Sequence, residues 1–211
     1  MVKIQTKLCN RANYGGKRTI APLYIVVHYT SNKGDTAKNN ADYFARESVK
    51  ASAHFFVDET STWSSVPENY VAWHCGGTKY YHAECRNSNS IGVEVCMNDK
   101  QGKVRVKSIE LAAELVLVLM AKYNIPADRV IRHYDVTHKN CPAPMVEEPA
   151  RWAAFKKSLE VKKMASNTPA NWAKDAWEKA TKAGVVDGTR PTEPVTRQEL
   201  AVILDRLKLV K

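Results

Sequence analysis

A segment rich in turn residues, from Ile131 to Met145, contains side chains well suited to chemistry. His133 and Cys141 are eight positions apart in it (141 minus 133), and Lys139 lies between them. This spacing is too long for two neighbours on one helical face, but it suits a loop that folds back on the end of a strand. Three interpretations follow: a metal site, a thiol nucleophile with its base, or a loop with a buried cysteine.

A metal site here needs a third ligand, because catalytic zinc binds three protein side chains and leaves a fourth position for water. His28 and His133 each end a predicted strand, the first of them the apolar run YIVVH. If these two strands are neighbours in the sheet, the two histidines lie close together. Glu94, inside the run IGVEVCM, could take a proton from water whose pKa the metal has lowered. Lys139 could stabilise the oxyanion that forms when this water attacks a carbonyl.

Each of these assignments has a simpler alternative. Cysteine is often only a small buried hydrophobic residue, and a histidine at a strand end is often a hydrogen-bonded structural residue. A carboxylate in an apolar strand, such as Glu94, needs either a partner or a function. A thiol peptidase that uses Cys141 and His133 fits less well, because nucleophilic cysteines usually lie at a helix N-terminus and prolines follow this one at 142 and 144.

The elements that must position these side chains alternate between strands and helices. The patterns predict strands over residues 24–28, 52–57, 62–66, 91–97 and 130–133, and helices over residues 36–47, 108–123 and 149–164. Ser108 would cap the second helix, which is apolar almost all round and is therefore expected to be buried. Strands that alternate with helices predict an α/β domain with a central sheet.

The composition is that of a globular protein of 211 residues with a net charge of +10, which favours a polyanionic partner. No recognised nucleic-acid-binding module and no basic helix accompanies this charge, so nucleic acid is the least favoured partner. No apolar run approaches the roughly 20 residues of a membrane span. The N-terminus has no apolar segment of secretory type, and the five cysteines lack the spacing of a disulfide framework, so we expect reduced thiols.

The composition changes at residues 165–170, where small and polar residues predict a linker. A helix over residues 172–183 should stop at Gly184, and Thr196 with Glu199 would form a capping box for a second helix. We therefore expect a domain over residues 1–164, the linker, and a small all-α module over residues 171–211. Such a short module buries little by itself.

Five pieces of the chain occur in the order of a known family: YIVVHYT, SAHFFVDE, VAWHCG, NSNSIGVEVC and HYDVTHKNCP. They resemble the motifs of the zinc-dependent N-acetylmuramoyl-L-alanine amidases of type 2, which share their fold with the peptidoglycan recognition proteins. The nearest resemblance is to endolysins of phages that infect Gram-positive bacteria. It implies a central mixed sheet flanked by helices, and hydrolysis of the amide between N-acetylmuramic acid and L-alanine in peptidoglycan.

Carried over position by position, the resemblance makes His28, His133 and Cys141 the ligands of one Zn²⁺. It makes Glu94 the catalytic acid and base, and Lys139 the group that stabilises the transition state. A peptidoglycan-binding protein that does not cut is the rival from another class. Its members typically lack the cysteine ligand, which is present here.

Other positions are candidates for the substrate groove: Tyr29, Trp73, His74 and Thr137. The T7-type lysozyme, which shares the family fold, carries a tyrosine just before the histidine of the second strand, whereas this chain has Ala53 before His54. The endolysin subgroup with the sequence SAH at this point relies on a strand glutamate instead, and the resemblance gives that role to Glu94. The chain departs from the family pattern again at His138, where relatives usually have glycine; we expect that side chain to face solvent, and contact with the substrate or competition for the metal are the alternatives. The pairs His74–Cys75 and His82–Cys85 fit no known zinc set, so Cys75, Cys85 and Cys96 are interpreted as structural thiols.

The C-terminal segment resembles a single S-layer-homology-like repeat. The resemblance implies attachment to anionic secondary polymers of the wall, and a homo-oligomer formed through this module is the alternative. Without an export signal, we expect a protein that is made in the bacterial host cytoplasm and acts on the cell wall after release.

Overall fold

The computed structural model describes residues 2–166, 169–189, 195 and 197–209. They divide into two compact units, Met1–Leu159 and Glu160–Lys211. The described strands are β1 Ile4–Thr6, β2 Tyr14–Lys17, β3 Tyr24–Tyr29, β4 Phe55–Val57, β5 Thr62–Ser64, β6 Tyr70–Ala72, β7 Ser90–Val95 and β8 Val130–Arg132. The described helices are α1 Ala37–Arg46, α2 Val106–Tyr123, α3 His133–Thr137, α4 Ala143–Val146, α5 Pro149–Ser166, α6 Lys174–Lys182 and α7 Arg197–Arg206.

Six strands form one sheet in the order β1-β5-β4-β7-β3-β8, and β2 and β6 form a separate antiparallel pair. Only the β4–β5 pairing of the large sheet is antiparallel, so the sheet is mixed. The apolar strands β3 and β7 lie at its centre, as expected for strands covered on both faces. The predicted α/β architecture, a central mixed sheet flanked by helices, is confirmed.

One face of the sheet carries the main hydrophobic core. Alternate residues of β3, β4 and β7 point to this face, and α2 and α5 pack against it. Its fully buried members include Ile25, Val27, Phe55, Val57, Ile91, Val93, Val95, Leu115, Val116 and Leu159. The intervening residues of these strands, including His28, Gly92 and Glu94, point to the opposite face. The core residues and the candidate functional residues therefore lie on different faces of the sheet.

Several predicted boundaries were wrong. Residues 52–54 are not in a strand, and the predicted strand over 130–133 ends at Arg132, so His133 is the first residue of α3. Helix α2 begins at Val106 rather than at a Ser108 cap, and Ser108 is buried inside it. Val106 and Val118 are 57% and 43% exposed, so α2 is not buried all round. Its inner face is set by the position of the sheet, which hydropathy does not encode.

Helix α1 begins where the sequence predicts. The Thr36 hydroxyl accepts a hydrogen bond from the backbone N–H of Asn39, as an N-cap does. The carboxylate of Asp58, just after β4, accepts the N–H of Ala37 at 2.8 Å. Asp58 therefore fixes the start of α1 beside the strands that carry His28 and Glu94.

The second unit contains the end of α5, and α6 and α7. Gly184 has φ +68° directly after α6, in agreement with the predicted stop. Trp172 is 91% exposed. Residues 167 and 168 of the predicted linker and Thr196 of the predicted capping box lie outside the described residues. Within the described part of the chain, no helix is both long and apolar enough to cross a membrane.

Candidate metal centre

His28, His133 and Cys141 converge into one buried cluster. Their potential ligand atoms all lie within 4.8 Å of one another. The Nδ1 atom of His28 is 3.7 Å from the Sγ atom of Cys141, and the rings of His28 and His133 are 4.7 Å apart between centroids. Within the described residues this is the only group of three or more metal-binding side chains.

The register of β3 and β7 places a carboxylate beside this cluster. His28 pairs with Glu94 across the two parallel strands. Both side chains point to the same sheet face, and Oε1 of Glu94 lies 3.9 Å from Nδ1 of His28. The side chain of Glu94 is 22% exposed, so it also reaches solvent.

The loop that delivers Cys141 is closed by backbone hydrogen bonds. The N–H of Tyr134 donates to the carbonyl of Cys141 at 2.8 Å. At the start of α3, Asp135 accepts the N–H of Arg132 and pairs with its guanidinium at 2.8 Å. These contacts fold the segment between His133 and Cys141 back on itself, so the two side chains face the same point.

The electrostatics of the cluster favour neutral imidazoles and oppose a free thiolate. Burial lowers the pKa of His28 far below its ordinary value and lowers that of His133 to about 4, with the Lys139 cation adding to the effect. Burial, with the nearby Glu94 carboxylate, raises the pKa of Cys141 to about 12. A thiol of this kind is a poor nucleophile near neutral pH, which argues against the thiol peptidase.

The donor set fits zinc. Two neutral imidazoles and one sulfur are ligands that Zn²⁺ prefers, and typical bond lengths place neighbouring nitrogen and sulfur ligands about 3.5 Å apart, close to the 3.7 Å separation found here. Both ring nitrogens of His133 are buried and have no hydrogen-bond partner. Buried polar atoms are nearly always paired, so the two unpaired nitrogens of His133 indicate a ring that could bind a metal ion.

Glu94 and Cys141 open on a cleft of about 690 Å³ between the end of β3 and α1. Burial raises the pKa of Glu94 to about 8, while the Lys139 cation opposes this shift. The cleft walls are lined by Tyr29, Thr30, Ser31, Asn32, Asp35, Asn39, Asn40, Tyr43, Phe44, Phe56, Glu94, Lys139, Asn140 and Cys141. A carboxyl group that titrates near neutral pH and an ammonium group therefore share one opening.

The four predicted groove residues lie in different places. Tyr29 lines the cleft, whereas Trp73, His74 and Thr137 are not among its lining residues. Trp73 exchanges hydrogen bonds with Ser52 through its backbone N–H and C=O. His74 is 9% exposed and lies behind His28, with its Nδ1 atom 3.0 Å from the Nε2 atom of His28.

The structure gives His138 a structural role that the sequence did not suggest. It ends α3 in the left-handed conformation, with φ +60°. Its exposed ring stacks on Tyr81 at 3.6 Å between centroids, and Tyr134 stacks at 5.2 Å. Glycine adopts this conformation without strain, and the aromatic contacts offset the strain that histidine bears there.

The other cysteines and His82 form no second metal site among the described residues. His82 uses Nδ1 to accept the backbone N–H groups of Glu84 and Cys85. Cys75 and Cys85 are fully buried in an apolar cluster, and Cys96 is buried beside Asn40.

The polar wall that α1 and the preceding loop add to the cleft was not predicted from the sequence. The Oδ2 atom of Asp35 accepts a hydrogen bond from the side-chain amide of Asn40 at 2.7 Å, whereas its Oδ1 atom is buried without a hydrogen-bond partner, as is the hydroxyl of Thr30. The sequence feature that could have predicted this wall is the polar start of the helix that follows the strand of His28. Loops at the ends of strands are the usual place for binding residues in such sheets.

Comparisons with known proteins agree with this geometry. A family model described as N-acetylmuramoyl-L-alanine amidase matches residues 18–144. The N-acetylmuramoyl-L-alanine amidase CwlL of Bacillus licheniformis is 37% identical over 145 residues, which cover 64% of this chain and 40% of the relative. CwlA of Bacillus subtilis (strain 168) is 34% identical over 186 residues, 85% of this chain and 66% of the relative. The chain matches only 40% to 45% of the length of CwlL and of two further Bacillus relatives, a probable N-acetylmuramoyl-L-alanine amidase of Bacillus licheniformis and BlyA of Bacillus subtilis (strain 168).

Solved structures match the fold of the first unit. The structure of PlyL aligns with a TM-score of 0.65 and 33% identity, over 75% of this chain and 97% of PlyL. The catalytic domain of XlyA aligns with a TM-score of 0.64 and 31% identity, over 75% of this chain and 99% of that domain.

Proposed function

The chain belongs to the N-acetylmuramoyl-L-alanine amidase family, and from this premise we propose that it is a zinc-dependent hydrolase of peptidoglycan. The bond it cleaves is the amide between the lactyl group of N-acetylmuramic acid and the L-alanine of the stem peptide. Support comes from the family match and from the cluster of His28, His133 and Cys141 beside an open cleft.

Zinc held by these three side chains would act as a Lewis acid that polarises the scissile carbonyl and makes water acidic near neutral pH. The two imidazoles are neutral, so their lone pairs are available as ligands. Cys141 must lose its proton to bind, because only the thiolate is a good ligand.

Glu94 has the position and the pKa of a general acid and base. Its Oε1 atom is 3.9 Å from the ligand atom of His28 and it faces the cleft, so it can take a proton from water that attacks the carbonyl. It can then pass this proton to the leaving amine of L-alanine, because burial raises the pKa of this carboxyl above its ordinary value and so favours its protonated form. The ammonium of Lys139 on the same cleft would stabilise the oxyanion.

One observation favours hydrolysis over binding alone. The sulfur ligand is present and the carboxylate lies beside the cluster, with Oε2 of Glu94 buried and without a hydrogen-bond partner. A protein that only binds peptidoglycan needs neither a sulfur ligand nor a carboxylate oxygen that is buried without a hydrogen-bond partner, and the latter costs stability.

The decisive experiment measures lysis of purified walls by the protein before and after zinc removal with a chelator, followed by zinc addition. We expect activity to disappear and then return, with new N-terminal alanine appearing as the product. Full activity in protein shown to be free of metal would refute the zinc mechanism. Release of reducing sugar ends without new amino groups would refute the amide as the target.

We further propose that the protein acts on walls in the manner of phage endolysins, after synthesis in a host cytoplasm, and that residues 171–211 bind anionic wall polymers. The motif resemblance supports the proposed role of residues 171–211. The net charge of +10 favours contact with an anionic wall, but this segment holds eight basic and six acidic residues and so contributes only +2 of it. Self-association through the exposed apolar side chains of this module, including Trp172 and Leu209, is the alternative.

A further inference from the structure

A continuous chain of hydrogen bonds runs from the metal cluster into the protein behind it. The Nε2 atom of His28 lies 3.0 Å from Nδ1 of His74, and Nε2 of His74 lies 3.2 Å from Oγ of Ser90. The Ser90 hydroxyl donates to the carbonyl of Arg86 at 2.6 Å. His28, His74 and Ser90 are all buried.

The last link fixes the direction of every other link. A carbonyl only accepts, so the hydroxyl hydrogen of Ser90 points to Arg86, and its oxygen accepts from Nε2 of His74. If the His74 ring carries a single N–H, this hydrogen is the one on Nε2, so Nδ1 of His74 has a lone pair and accepts from Nε2 of His28. The single N–H of His28 is then on Nε2, and the lone pair of its Nδ1 faces Cys141.

Gly92 provides the space that this arrangement needs. It lies on β7, two residues before Glu94, and a Cβ atom at this position would lie 2.5 Å from Cγ of His74. Glycine in a strand interior weakens the strand, and it often marks the close approach of another group. The absence of a side chain at position 92 allows the His74 ring to lie against the sheet and face His28.

We propose that His74 is a positioning residue that holds His28 in the tautomer with a free Nδ1 lone pair, ready to bind zinc. This inference rests on the proposed zinc mechanism, but it concerns a residue outside the ligand set. His74 is not part of the metal cluster and does not line the cleft, so it acts through His28. Groups that orient metal-binding histidines in this way typically contribute 10- to 100-fold to metal affinity.

The test compares four forms of the full chain: wild type, His74→Leu, His74→Asn and Gly92→Ala. Zinc affinity is measured by competition with a chromogenic chelator, and the His28 tautomer is read from ¹⁵N chemical shifts of the metal-free protein. We expect His74→Leu to lose 10- to 100-fold in affinity and to show a mixture of His28 tautomers. His74→Asn keeps an acceptor in the position of Nδ1 and should recover most of the loss, whereas Gly92→Ala should resemble His74→Leu.

A matched control is His54→Asn, which changes another buried histidine of the same sheet face. Nδ1 of His54 accepts the backbone N–H of Gly92 and not a ligand, so its replacement should leave zinc affinity and the His28 tautomer unchanged. Wild-type affinity and a single Nε2–H tautomer in His74→Leu would overturn the positioning role. A wild-type protein that binds no zinc would instead overturn the proposed mechanism, and the metal-free tautomers would still decide whether His74 orients His28.

Discussion

His28 and Glu94 occupy paired positions on adjacent parallel strands, and Nδ1 of the histidine lies 3.9 Å from Oε1 of the carboxylate. The backbone register of β3 and β7 therefore sets the distance between a candidate metal ligand and a candidate acid and base. A slip of one residue would turn one of them to the opposite face of the sheet.

Glu94→Gln keeps the size of the side chain and removes its ability to exchange a proton. We expect zinc content to remain at the wild-type level while wall hydrolysis falls by about 10² to 10⁴. Metal analysis and a turbidity assay on the same preparation measure both quantities. Turnover close to wild type would remove Glu94 from the catalytic role.

The affinity for zinc should rise with pH because Cys141 must release its proton. The thiol is protonated up to its pKa of about 12, whereas His28 and His133 are already neutral at pH 7. One proton is therefore released, and affinity should increase about tenfold per pH unit between about pH 7 and 9. Chelator competition at each pH measures this slope. Cys141→Ser should bind much more weakly, and a pH-independent wild-type affinity would contradict the thiolate as a ligand.

The stability of the metal-free protein should fall in mild acid. Burial holds the pKa of His54, like that of His28, well below the ordinary value of about 6.5. Their contribution is thus complete above pH 6.5 and is lost as the pH falls below it, by about 1.4 kcal/mol per pH unit for each proton. Urea unfolding from pH 7.5 to 5 measures this slope. His54→Asn should reduce the slope by one proton, and an unchanged slope would mean that His54 titrates normally in the folded state.

His138 offers a test of the strained end of α3. His138→Ala loses the stack on Tyr81 and keeps the positive φ, so we expect a loss of about 1 kcal/mol in the free energy of unfolding. His138→Gly loses the same stack but gains about 1 kcal/mol from relief of the strain, and should be close to wild type. Equal stability of the two variants would show that the left-handed conformation carries no cost here.

Removal of the C-terminal unit separates the two hypotheses about it. A chain of residues 1–166 keeps the whole core of the first unit and should remain folded and hydrolytic. Wall polymer binding should drop if the module binds wall, and the oligomeric state should change if it associates with itself. Pull-down on purified walls and light scattering measure the two effects, and no change in either would refute both.

The sequence predicted the parts of this structure that follow from local patterns. The apolar runs around Val26 and Val93 indicated the central strands, and the alternation around Glu94 indicated its face. Register is a long-range property, so no local pattern predicted that Glu94 would pair with His28. The same holds for His74, which the family resemblance assigned to the groove and which the fold places behind a candidate ligand.

His138 and Ser108 are two residues whose structural roles could not be predicted from the neighbouring sequence. His138 is exposed, as expected, but its stacking partner Tyr81 lies 57 positions earlier (138 minus 81) on a separate loop, and no local pattern predicted that contact. Ser108 has the residue type of a helix cap, but α2 already begins at Val106 and Ser108 is fully buried inside the helix. Tertiary contacts decide such cases, and they are absent from a local pattern.

The closed loop between Tyr134 and Cys141 also has a consequence for folding. It joins His133 and Cys141 through a short local contact, whereas His28 precedes His133 by 105 residues (133 minus 28) and arrives only when β3 pairs with β8. The local pair can form early, and the third ligand depends on completion of the sheet. A bound zinc ion would therefore link the early and late segments of the first unit, and its removal should speed unfolding more than it slows refolding.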